Sequence, residues 1–257
     1  MTDAALALTV LGTGDAFATG GHPYSCYLLE PMEESGGECR SVLLDCGPTA
    51  VPMLHGMDHD LGKIDLVLLT HLHGDHTMGV AFLYLNYQFL VKRDRPLIVA
   101  GPPGTEETCE AIFRVGYPET VKLMDRNFEV KYVELTEGRE TDLSGLRILP
   151  REVIHLREGT PYGYRISWKG KTIGLSGDTE WNEALIELAD GTDVFIIECF
   201  STEKIRFHIS VETLKKNAPR LRTQRLLLTH MGKDVRALAA AGKIPFETAR
   251  DGQRLEL

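Results

Sequence analysis

One stretch constrains this chain more than any other. Ile64 to Thr70 is an apolar run of strand length, and it leads directly into His71-Leu72-His73-Gly74-Asp75-His76. A continuous run of this kind suits a central strand covered on both faces. His71 and His73 are two apart, so an extended backbone turns both imidazoles to one side. Gly74 permits a sharp bend. Asp75 and His76 then leave in a new direction at the start of a following helix. One segment can thereby present two imidazoles to one metal ion, and a carboxylate with an imidazole to a neighbouring ion. Imidazole and carboxylate with no thiolate nearby suit zinc, manganese or iron in a hydrolytic site. A polar loop of solvated histidines is the competing reading, and the close packing of these ligand types weighs against it.

The rest of the chain alternates short strands and helices. Strands are expected at Leu6–Leu11, Cys26–Glu30, Ser41–Asp45, Pro96–Ala100, Phe128–Leu135, Leu146–His155, Tyr162–Trp168, Lys171–Ser176, Val194–Phe200 and Arg225–Thr229. Helices are expected at Thr77–Val91, Thr105–Val115, Trp181–Leu188 and Val211–Asn217. No Pro/Ser-rich linker interrupts residues 1–257, which predicts a single domain. Leu68-Leu69-Thr70-His71 is echoed by Leu227-Leu228-Thr229-His230, as two similar half-structures would show.

His-x-His-x-Asp-His after an apolar strand resembles the signature of the metallo-β-lactamase-fold hydrolases. Leu11-Gly12-Thr13-Gly14-Asp15-Ala16-Phe17, followed by Ser25-Cys26-Tyr27-Leu28-Leu29, resembles the opening of their ribonuclease Z-like branch. Leu43-Leu44-Asp45-Cys46-Gly47 resembles the segment whose Asp orients a metal-bound histidine. Val153-Ile154-His155, Ser176-Gly177-Asp178-Thr179 and Leu228-Thr229-His230 resemble the remaining ligand motifs, in order. The resemblance implies a four-layer αββα sandwich holding two divalent metal ions. Zinc is the first choice, with manganese or iron also admitted. His71, His73 and His155 would hold one ion, Asp75, His76 and His230 the other, and Asp178 would bridge. Phe207-His208-Ile209-Ser210, preceded by Ile197-Glu198, resembles the segment whose histidine assists proton transfer, and this outweighs the competing reading of Ser210 as a helix cap with His208 merely beside it. The expected catalytic residues are Asp75 and His208.

Two metals at bridging distance lower the pKa of a shared water, chemistry that serves phosphodiesters, lactones and thioesters alike. The leading expectation is a small-molecule phosphodiesterase. An esterase or lactonase on the same metals, or a metal-binding sensor without turnover, are the alternatives. The β-lactamases proper differ at the position of Asp178. The interval from Asp178 to His230 has no room for a β-CASP module. The interval from His155 to Asp178 has room for a strand pair but not for the long arm with which ribonuclease Z grips tRNA. The formal charge of −9 also disfavours extended contact with polyanions, so no tRNA substrate is expected. Five cysteines, an odd number without C-x-x-C spacing, read as reduced core thiols in the cytoplasm. No signal peptide is evident in Met1–Leu11, and the apolar run Val80–Val91 is too short to span a bilayer. It is expected to be core, and could also form a homodimer contact, since dimers are common in the ribonuclease Z-like branch. His22, His55 and His59 are expected to be solvated.

Overall fold

The apolar runs are buried on two sides because alternate residues of each inner strand enter different cores. In the strand Val194–Glu198, Val194 and Ile196 join one cluster, and Phe195 and Ile197 join another. In Ile64–Leu68 the same split sends Leu66 and Leu68 inward and Val67 outward.

The structure, a computed structural model, describes residues 5–32 and 39–257. In chain order the first half contains β1 (Leu6–Gly12), β2 (Cys26–Pro31), β3 (Ser41–Leu44), α1 (Ala50–Gly56), β4 (Ile64–Leu68), α2 (Gly74–Thr77), α3 (Gly79–Phe89), β5 (Leu97–Gly101), α4 (Thr105–Gly116), α5 (Pro118–Leu123) and β6 (Val130–Glu134). The second half contains β7 (Thr141–Leu143), β8 (Leu146–Glu152), β9 (Tyr162–Trp168), β10 (Lys171–Leu175), α6 (Ala184–Ala189), β11 (Val194–Glu198), α7 (Val211–Asn217), β12 (Leu226–Thr229), α8 (Lys233–Ala240), β13 (Glu247–Thr248) and β14 (Arg254–Glu256).

These strands form two seven-stranded sheets, in the orders β14-β1-β2-β3-β4-β5-β6 and β13-β12-β11-β10-β9-β8-β7. Read from β14 and from β7, both sheets make three antiparallel pairings and then three parallel ones. One core lies between the sheets. A second fills the space between the first sheet and α1, α3 and α4, and a third that between the second sheet and α6, α7 and α8. The layers therefore run αββα, as the sequence predicts. The half-structure expectation holds at the level of topology. The Thr-His echo does not mark equivalent strands, however, because β4 is fifth from β14 whereas β12 is sixth from β7.

Several expected boundaries move for identifiable reasons. The strand toward His155 stops at Glu152. Beyond it the Val153 amide bonds Pro161 and Ile154 bridges Glu180, so the chain peels off the sheet. The Trp181–Leu188 helix begins at Ala184, whose amide bonds the Asn182 side chain. The long helix splits into α2 and α3. At Gly79 the chain passes so close to Gly47 that an added Cβ would sit 2.1 Å from the Gly47 carbonyl oxygen. Among the described residues no helix is long and apolar enough to cross a membrane. All five cysteines are buried and free.

Candidate metal centre

The chemistry gathers where the parallel strands end, the usual place for ligands in open α/β sheets. His71 and His73 follow β4, and α2 opens at Gly74 to turn Asp75 and His76 inward. His155 comes from the segment after β8, Asp178 from the loop after β10, and His230 from the residue after β12. Gly177 precedes Asp178 with φ +59, a conformation that favours glycine.

These seven side chains converge. His71, His73 and His155 offer ligand atoms within 4.8 Å of one another, and so do Asp75, His76, Asp178 and His230. Asp178 Oδ2 lies between the groups. It is 3.3 Å from His230 Nε2, 3.5 Å from His76 Nε2, 3.8 Å from His155 Nε2 and 4.0 Å from His71 Nε2. His73 Nδ1 stands 3.1 Å from the Nε2 atoms of both His71 and His155.

The far nitrogens of four of the five rings have protein partners. Nδ1 of His76 donates to Asp45 at 2.7 Å, and Asp45 also accepts from the Thr70 amide at 2.8 Å. Nδ1 of His155 donates to the Phe207 carbonyl at 2.9 Å. His71 Nδ1 lies 3.1 Å from the Thr70 hydroxyl, and His230 Nδ1 lies 3.4 Å from that of Ser25. Such partners fix which nitrogen faces the centre.

Electrostatics divides the cluster. Burial pushes His71 well below the ordinary imidazole range, lowers His155, and brings His230 down to about 4. These three rings keep lone pairs available for a cation. Burial also disfavours charge on His76, but Asp45 and Asp178 outweigh it and raise its pKa. Asp178 is buried too, and the charges of His230 and His76 nevertheless hold it well below the usual carboxylate range.

His208 lies against this cluster. Its ring centroid is 5.0 Å from that of His155 and 5.5 Å from that of His230. Its Nδ1 donates to Glu198 at 2.8 Å. Glu198, fully buried, also accepts from the amides of Thr179 and Ile209. Burial lifts Glu198 to about 7, with the charge of His208 opposing. Burial opposes charge on His208 in turn, and Glu198 overrides it, raising His208 to about 9. Ser210 caps α7 by accepting from the Thr213 amide, so capping and proximity to the centre coexist at this segment. The resemblance named Glu198 together with the His208 segment, but not that the two side chains would pair. Of the three histidines expected in solvent, His55 is exposed. His22 pairs with Asp251 at 2.6 Å, and the His59 side chain is only 10% exposed, 3.6 Å from Glu30. His59 is the correction, since its side chain is largely buried, whereas His22 keeps 39% of its side chain exposed beside Asp251.

The donor set fits divalent cations. Among the described residues, Nε2 of His76 and Nε2 of His230 are buried without a hydrogen-bond partner, although Asp178 stands within 3.5 Å of each. Buried polar nitrogens are rarely left so, and a cation between them and the carboxylates would satisfy both.

A family profile described as anti-Pycsar protein Apyc1 matches residues 6–251. The chain belongs to the anti-Pycsar protein Apyc1 family. This member is 28% identical to the ribonuclease Z of Anoxybacillus flavithermus, over 87% of this chain and 86% of the relative. It superposes on YhfI of Bacillus subtilis, a metallo-β-lactamase fold protein, with a TM-score of 0.73 at 23% identity, covering 98% and 99% of the two chains. It superposes on a diphosphatase of the PhnP family with a TM-score of 0.75 at 19% identity, covering 98% of each. The fold is that of the metallo-β-lactamases, and this Apyc1 family member is a ribonuclease Z-like, metal-dependent hydrolase.

Proposed function

We propose that the protein is a phosphodiesterase acting on a small molecule, with two divalent ions, zinc first among them. The observation that carries this reading is the position of Asp178 Oδ2, within 4.0 Å of four imidazole nitrogens drawn from two ligand groups. One ion would be held by His71, His73 and His155 and the other by Asp75, His76 and His230, with Asp178 serving both. When bound, such ions acidify water and neutralise charge on the attacked centre.

His208 fits phosphodiester cleavage as the proton donor to the leaving group. An alkoxide expelled from phosphorus needs a proton, and His208 sits beside the centre with Nδ1 anchored on Glu198. Its other ring nitrogen is then free to hand a proton to the leaving oxygen. The ribonuclease Z relative, named for RNA, and the diphosphatase neighbour, named for a diphosphate, support chemistry at phosphorus. Residues 1–257 would act as one domain without a tRNA substrate, because β9 and β10 take up the interval where a gripping arm would emerge. A cytoplasmic home is consistent with five unpaired thiols. A homodimer would have available the apolar groove of about 580 Å³ between α3 and α4, lined by Met78, Phe82 and Val115.

The test is turnover of bis-p-nitrophenyl phosphate by the zinc-reconstituted protein, beside a panel of lactones and thioesters. Selective hydrolysis of the phosphodiester is expected. A preference for lactones or thioesters overturns the reading, and no turnover of any kind by protein carrying both ions points to the sensor alternative.

A further inference from the structure

His230 is held less directly than its neighbours. Its φ is +50, in the left-handed region that L residues seldom occupy. Among the described residues its only side-chain hydrogen bond is the long one to Ser25, at 3.4 Å, against 2.7 Å for His76 on Asp45. The backbone of the turn must therefore set the direction of the ring.

That backbone is gripped from outside. The Met231 amide donates to the Thr13 carbonyl at 3.3 Å, and the Met231 carbonyl accepts from Arg236 Nε at 2.8 Å. The same guanidinium donates through Nη2 to the Thr13 carbonyl at 2.6 Å and to its hydroxyl at 3.1 Å. Thr13 is fixed in turn by Asp251, whose Oδ1 accepts from the Thr13 amide at 2.9 Å and from its hydroxyl at 2.8 Å. The other Asp251 oxygen holds His22. Every polar atom of Thr13 is thus engaged, in a residue only 1% exposed. Three distant segments meet there: the turn after β1, the helix α8, and the turn before β14. The planar guanidinium is suited to the task, because it presents donors in a rigid fork to two carbonyls at once.

We propose that Arg236 and Asp251 are positioning residues for His230, acting through Thr13. They set the affinity of the ion held by Asp75, His76, Asp178 and His230, and leave that of the ion held by His71, His73 and His155 unchanged. This rests on the reading of His230 as a ligand.

The experiment is a zinc titration of metal-stripped protein against a chromophoric chelator, resolving the two stepwise affinities. Arg236→Met and Asp251→Ala should each weaken one ion by roughly 10–100-fold, the range typical for partners that orient a metal ligand. The other affinity should stay within about twofold. Asp251→Asn, which keeps an acceptor for Thr13, should restore most of the loss. Thermal melts identify variants that fail to fold. If Arg236→Met is among them, Thr13→Val, which removes only the hydroxyl bonds, carries the test with a smaller loss expected on the same ion. Folded variants with unchanged affinities, or with both ions weakened equally, overturn the proposal. His230→Ala separates the two claims. If it loses one ion while Arg236→Met and Asp251→Ala lose none, the positioning role fails and the ligand reading stands. If it binds both ions as the unaltered protein does, the ligand reading fails and takes the positioning role with it.

Discussion

The first sheet supplies four groups to the candidate centre from one short segment after β4, whereas the second supplies three from the ends of β8, β10 and β12. The sheets share one pairing pattern, so the contrast is not one of scaffold. Equivalent strands carry different duties. β3 is followed by Asp45, which supports His76, while its counterpart β10 is followed by Asp178, which faces the imidazoles itself. β4 is followed by His71, and its counterpart β11 ends in Glu198, which holds His208. A position at a strand end fixes where a side chain arrives, and the residue placed there decides whether it faces the centre or braces a neighbour.

The sharpest way to break this comparison is at the shared carboxylate. Asp178→Ala should leave neither ion tightly bound and bring activity to background, because both ligand groups lose their common oxygen. His155→Ala should lose one ion. Elemental analysis after zinc reconstitution measures both, and an Asp178→Ala protein that keeps one full equivalent would show that the halves bind independently.

Next in size is the proton donor on the second sheet. His208→Ala should lower turnover by roughly 10²–10⁴-fold on a phosphodiester with an alkyl leaving group, and far less with p-nitrophenolate, which departs without help. Ion content should not change. Equal losses on both substrates would assign His208 to binding instead.

Asp45→Asn probes the matching support on the first sheet. The amide carries no charge to hold the His76 proton, so affinity for the ion on that side should fall by about 10–100-fold, as read by chelator competition. An unchanged affinity would mean that the first segment is rigid enough without its brace. The smallest effect belongs to Ser210→Ala, which removes a cap and should cost about 1 kcal/mol in urea unfolding with both ions retained. Loss of an ion in that variant would tie α7 to the centre.

The contrast between the sheets also explains what could be read in advance. His71 to His76 declares itself because its geometry is local: a strand end, a glycine bend and a helix start within one short span. His155, Asp178 and His230 are ordinary residues in ordinary surroundings, and only their order along the chain singled them out. Glu198 was named with the His208 segment, but its hydrogen bond to that ring depends on how β11 sits against the following loop. The Thr13, Arg236 and Asp251 cluster was invisible for the same reason. Among the elements, α1, α5, β7 and everything after His230 went unanticipated. α5 starts at Pro118, directly after α4 ends, and β13 and β14 are short strands stabilised by partners far away in sequence.

The pairing of β14 with β1 bears on how the protein is made. Thr9 meets Arg254 and Ala7 meets Glu256, so β1 is synthesised long before the strand that covers it. Until the ribosome releases those residues, β1 has an open edge, a template for pairing with other nascent chains. Translation that stops short of Arg254 would leave that edge permanently uncovered, and such products should aggregate or be cleared rather than persist as partly active enzyme.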